Sequence, residues 1–93
     1  MLFFCFEVQD DDIRSPYRTD NEDLYTHDAV EVFLSPDGDP ARYKELEVSP
    51  FGVRFYANIR NDGGRIELEK IAPAYEAHAY ETVSYTHLTL PTI

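Results

Sequence analysis

Tryptophan is absent from this 93-residue chain, and cysteine and methionine occur once each, as Cys5 and Met1. A lone cysteine excludes an internal disulfide and any cysteine-based zinc site. A lone methionine argues against haem held by Met and His ligands. Basic residues are also scarce: eight Lys and Arg stand against eighteen Asp and Glu, for a formal charge of −10. Nucleic-acid backbones and anionic membrane surfaces are bound through clustered cations, so neither is an expected partner. No apolar run approaches the ~20 residues of a membrane span. The opening Leu2-Phe3-Phe4-Cys5-Phe6 has no basic start and runs straight into Glu7 and Asp10-Asp11-Asp12. It is therefore too short and too acidic in its flank for a secretion signal.

What remains is enough for a core. Hydrophobic residues make up 43% of the chain, with seven Tyr and six Phe, which separates it from a disordered acidic tail. The length allows one small domain, which buries only about 60% of its unfolded surface.

Short strands are the dominant pattern. In residues 2–9, Phe4, Phe6 and Val8 alternate with Cys5, Glu7 and Gln9, the period of a half-buried strand. Cys5 has no basic neighbour to activate it and is expected to pack inside the sheet. Residues 10–28 form a long polar connection. In residues 29–34, Val30, Val32 and Leu34 face one way and Glu31 and Phe33 the other; a Pro- and Gly-rich turn follows. In residues 43–48, Leu46 and Val48 oppose Tyr43, Glu45 and Glu47. Residues 53–59 place Val53, Phe55, Ala57 and Ile59 inward and Arg54, Tyr56 and Asn58 outward, with Arg60 continuing the outward set. Asn61-Asp62-Gly63-Gly64 is a hairpin signal, and Ile66 and Leu68 of residues 65–71 are expected to face inward. Residues 74–80 are ambiguous between helix and strand. This spacing predicts an all-β fold: an antiparallel β-sandwich, jelly-roll-like and incomplete at both ends.

The two ends read as cut. The chain is expected to start inside a strand, with Met1 an internal residue. At the other end, residues 83–93 contain no Lys, Arg, Asp or Glu, although all the formal charges lie in residues 1–82. That tail resembles the translation, in one frame, of a transposon-type sequencing adapter. It is set apart as non-native, so Tyr85 and His87 are expected to carry no role.

The strand alternation places Glu31, Phe33, Tyr43, Glu45, Glu47, Arg54, Tyr56 and Asn58 opposite the apolar stripes. If their strands are neighbours, one surface mixes carboxylates, an Arg, an Asn and Tyr rings. Such a surface suits sugars, because carboxylates and amides pair with hydroxyls and aromatic faces cover the C–H face of a sugar ring. The plain alternative is a solvated outer sheet face.

Residues 2–13 (LFFCFEVQDDDI), 28–36 (DAVEVFLSP) and 43–52 (YKELEVSPFG), with their spacing, resemble carbohydrate-binding module family 9 and its DOMON-like relatives. The resemblance covers roughly residues 2–71. It implies a non-catalytic β-sandwich that binds a mono- or oligosaccharide and sits beside other exported domains, extracellular or periplasmic. It implies no cofactor, apart from the structural calcium that members often hold. Carried over by position, Glu31 falls on the family's sugar-binding Glu and Tyr25 where a sugar-stacking Trp sits. Glu47 and Ser49 stand where those members have an Arg and an Asn that contact sugar hydroxyls. The alternative function is an accessory or spacer β-sandwich domain of a larger exported protein, with no sugar site.

Other constellations are weaker. Glu45 and Glu47 share a strand face, whereas paired glycosidase carboxylates face each other across a cleft. Asp10-Asp11-Asp12 with Glu7, and Asp37 with Asp39, do not match a dedicated calcium loop. His27 and His78 have no partner at ligand spacing.

Overall fold

The computed structural model describes the backbone of residues 2–81 and 86–92 and the side chains of residues 2–80. Met1, Tyr85, the His87 side chain and the expectations resting on them lie outside the described residues. Among the described residues there are seven strands: β1 (Leu2–Val8), β2 (Val30–Leu34), β3 (Arg42–Val48), β4 (Arg54–Asp62), β5 (Arg65–Lys70), β6 (His78–Glu81) and β7 (Thr86–Thr92). One 3₁₀ turn, Leu24–Thr26, interrupts the long first connection. The fold is mostly β.

The strands β2-β3-β4-β5 form a four-stranded antiparallel sheet in chain order, and β1-β7-β6 form a three-stranded one. The β4–β5 link has the geometry its sequence asks for. Asp62 pairs with Arg65, so Gly63 and Gly64 alone make the turn. Their φ values are 62° and 92°, and positive φ at both central residues is the requirement of a type I′ hairpin. Residues 74–80 resolve as the buried Tyr75 followed by the start of β6.

Two apolar clusters lie on opposite faces of the four-stranded sheet. On one face Val32, Leu46, Val48 and Tyr56 meet Tyr75, with Phe4, Phe6 and Val8 of β1 and Ala77 and Ala79 packed against them. On the other face Val53, Phe55, Ala57 and Ile59 meet Leu24, Tyr17, Ala29 and Tyr43. Strand β4 is therefore buried on both sides: Phe55 and Ala57 are inaccessible and Tyr56 is 4% exposed.

The register corrects three expectations. Opposed residues of an antiparallel pair share a face, and Glu47 pairs with Phe55 while Leu46 pairs with Tyr56. The glutamates therefore share a face with Phe55, Ala57 and Ile59, not with Arg54, Tyr56 and Asn58. Tyr56 is core. On its face Lys44 Nζ donates to Asn58 Oδ1 at 2.8 Å and lies 5.4 Å from the Tyr56 ring centre. Ile66 and Leu68 are not inward: β5 is the edge strand of its sheet, and they are 61% and 44% exposed. Cys5 is exposed as well, because β1 turns Phe4, Phe6 and Val8 to the core and alternation puts Cys5 on the other face.

The polar connection before β2 is docked rather than loose. Asn21, at φ 66°, is one of the few residue types that tolerate the left-handed region. In that conformation its N–H donates to the Arg54 carbonyl at 2.8 Å. Its side chain accepts the Tyr56 N–H and donates to the Ile71 carbonyl, both at 2.8 Å. Beside it, Asp20 accepts the Arg54 N–H at 2.9 Å and the Arg54 guanidinium at 2.6 Å. Partial burial alone would raise the Asp20 pKa. The Arg54 hydrogen bonds and charge outweigh that and hold the carboxyl below its usual range. These contacts fix the 3₁₀ turn over β3 and β4, with Leu24 fully buried beneath it.

Candidate functional site

The site grows from a register that sets like charges against each other. Glu31 on β2 pairs directly with Glu47 on β3, and Glu45 lies two residues along β3 on the same face. Opposed like charges on a sheet destabilise it, yet here carboxylate oxygens of all three glutamates lie within 4.8 Å of one another. Their surroundings differ sharply: Glu31 is exposed, Glu45 half-buried and Glu47 fully buried. The 3₁₀ turn packs against β3, and Phe55 on β4 flanks Glu47.

Neither Glu47 side-chain oxygen has a hydrogen-bond partner. Burial, then the charges of Glu45, Glu31 and Asp23 together with contact to the Glu31 carboxyl, push the Glu47 pKa up to about 8 from an ordinary 4.5. Burial and then the Glu31 charge raise Glu45 as well. Among the described residues, no Lys or Arg pairs with any of the three. Lys70, the cation of this region, donates to Asp23 Oδ1 at 2.8 Å and lies 5.6 Å from the Phe55 ring centre.

Tyr25 completes the surface. It sits on the 3₁₀ turn, 52% exposed, and meets Phe55 edge to face with ring centres 6.1 Å apart. The Asp23 charge, followed by partial desolvation, raises its phenol pKa. An open aromatic ring thus lies beside the partner of Glu47, on the face that carries Glu31.

Of the four residues singled out from the sequence, Glu31 and Glu47 pair directly, Tyr25 lies on the same sheet face against Phe55, and Ser49 does not join them. Ser49 is fully buried, and its Oγ accepts the N–H groups of Phe51 and Val53 at 3.1 and 3.2 Å. Its own N–H donates to the Val53 carbonyl at 2.9 Å. It closes the β3–β4 connection. Glu45 joins the cluster; its shared parity with Glu47 was the sequence signal. Asp23 and Lys70 were not legible as participants, because 47 residues separate them.

The chemistry open to this surface is hydrogen-bond acceptance, ring stacking and cation binding. The glutamates lie side by side on one sheet face, which is not the facing pair of a glycosidase. Concavities of about 520 Å³ near Arg42, Asn58 and Glu67, and about 200 Å³ near Ile13, His27 and Pro50, lie elsewhere. Comparison with protein-family models, curated proteins and solved structures gives no match to this chain.

Proposed function

We propose that the chain is a non-catalytic carbohydrate-binding module of the β-sandwich type, similar to carbohydrate-binding family 9. Its ligand lies on the face that carries Tyr25 and Glu31. The observation behind this reading is that an open Tyr25 ring and the exposed Glu31 carboxylate lie on one sheet face, linked by the row Phe55, Glu47 and Glu31. The ring covers a sugar's C–H face while the carboxylate accepts hydroxyl protons. The sandwich is supported by β1 and β6, whose Phe4, Phe6, Val8 and Ala79 pack on the opposite face of the four-stranded sheet. Glu47 acts beneath the surface by fixing the charge around Glu31, and Ser49 acts by shaping the turn. The proposed setting is an exported protein with neighbouring domains, extracellular or periplasmic.

The test is a glycan array followed by calorimetric titration of the best sugar. Tyr25→Ala is expected to weaken binding by about two- to tenfold and Glu31→Gln by about tenfold or more, since aromatic contacts are worth ~0.5–1.5 kcal/mol and charge-assisted hydrogen bonds ~1.5–3 kcal/mol. Affinity that survives both substitutions overturns this site. The second reading, an accessory or spacer domain without a sugar site, is favoured by one observation: Glu47 and Ser49 are fully buried and present nothing to a ligand at the surface. An array with no saturable binder supports it.

A further inference from the structure

We propose that Glu31, Glu45 and Glu47 together form a divalent-cation site of the calcium type. The argument starts from Glu47. A carboxylate with both oxygens buried and without a hydrogen-bond donor is costly in a folded protein, and this one lies against two further carboxylates. A single proton would occupy only one of its oxygens. A cation bound bidentately engages both, and it replaces mutual repulsion with attraction for all three groups.

The spacing suits a single divalent cation. Calcium binds carboxylate oxygens at about 2.4 Å, so ligands on opposite sides of it are ~4.8 Å apart, whereas magnesium at ~2.1 Å draws them to ~4.2 Å. The three glutamate oxygens fall within 4.8 Å of one another, a span that one such cation bridges, and the uneven set of ligands favours the larger ion. Its flexible coordination also accepts one buried, one half-buried and one exposed ligand, with water filling the open side. No basic side chain among the described residues competes for the position: Lys70 is held by Asp23, and Lys44 lies on the opposite face with Asn58. Two sheet strands carry the ligands, so the site is built on paired backbone rather than on a mobile loop. Nothing in this argument depends on the sugar reading.

The experiment is calorimetric titration of the full 93-residue chain, stripped with EDTA, first with CaCl₂ and then with MgCl₂. One saturable calcium site is expected, with magnesium weaker. Glu47→Gln and Glu31→Gln are each expected to lower calcium affinity at least about tenfold, because affinity follows the ligand charge count. Asp37→Asn, in an exposed turn remote from the cluster, is the control and leaves affinity unchanged. Glu31 is exposed, so its variant keeps the test informative even if the Glu47 variant repacks. Absence of saturable calcium binding overturns the proposal. Unchanged affinity in both glutamate variants also overturns it and points instead to an acidic turn such as Asp10-Asp11-Asp12. Sugar titrations run in EDTA report on the sugar site separately.

Discussion

Replacing Glu47 by Gln isolates what a buried carboxyl does to this fold as pH changes. In the native state its pKa stands near 8, against 4.5 for an ordinary carboxyl. Between those values the folded chain holds a proton that the unfolded chain has released, so stability falls as pH rises through that window. Below pH 4.5 both states are protonated at this group, and above pH 8 both are ionised, so its contribution is level on either side. At ~1.4 kcal/mol per unit, the full shift corresponds to about 5 kcal/mol. Water entry and local repacking on ionisation reduce that, so the measured loss is expected to be about 2–5 kcal/mol. This is a large part of the roughly 5–15 kcal/mol of a small domain.

The groups facing Glu47 reinforce the sign. Glu31 comes from β2, Glu45 from β3 and Asp23 from the segment before the 3₁₀ turn, and all are acidic, while β4 contributes the neutral Phe55. Urea unfolding in EDTA, followed by Tyr fluorescence and far-UV circular dichroism at pH 5, 7 and 9, measures the effect. The wild type is expected to lose stability steadily toward pH 9. Glu47→Gln, which cannot ionise, is expected to give a much flatter profile and to exceed the wild type at pH 9. Parallel profiles for the two proteins would refute the reasoning, because the titrating group would then lie elsewhere.

Two further outcomes follow from the fold. Asn21→Ala removes two side-chain hydrogen bonds to β4 and to the Ile71 carbonyl, and places Ala at φ 66°. A loss of about 2–3 kcal/mol in denaturant unfolding is expected, and a loss below ~0.5 kcal/mol would show that the loop is not docked through this residue. The exposed Cys5 is expected to react with a thiol reagent in the folded chain nearly as fast as in urea. A strong slowing under native conditions would place it inside the sheet after all.

How much of this was legible in the sequence varies with the range of the interaction involved. Strand alternation in β2 and β3 depends only on the two-residue period, so the facing of Val30, Val32 and Leu34 against Glu31 and Phe33 could be read directly. The Gly63-Gly64 hairpin could be read too, because positive φ is a property of the residue itself. Period alone did not say which face of β4 meets which face of β3. That is set by pairing Glu47 with Phe55, and with β4 buried on both faces the stripe of Arg54, Asn58 and Arg60 did not mark an outside. Placement of residues 86–92 between β1 and β6 uses main-chain groups that every sequence carries, so it leaves the adapter resemblance of the tail as it stood.

The sequence by itself determined an acidic, strand-built chain, with Glu31 turned away from the apolar stripe of its strand and few basic residues. Only the tertiary structure decided that Glu47 is buried without a donor, that Glu45 joins it, and that Ser49 turns inward to its own loop. The physical reason is that local pattern fixes the direction of a side chain relative to its own strand. Burial and electrostatic environment depend on what the rest of the chain lays over that strand, and here that is the 3₁₀ turn held in place by Asp20 and Asn21.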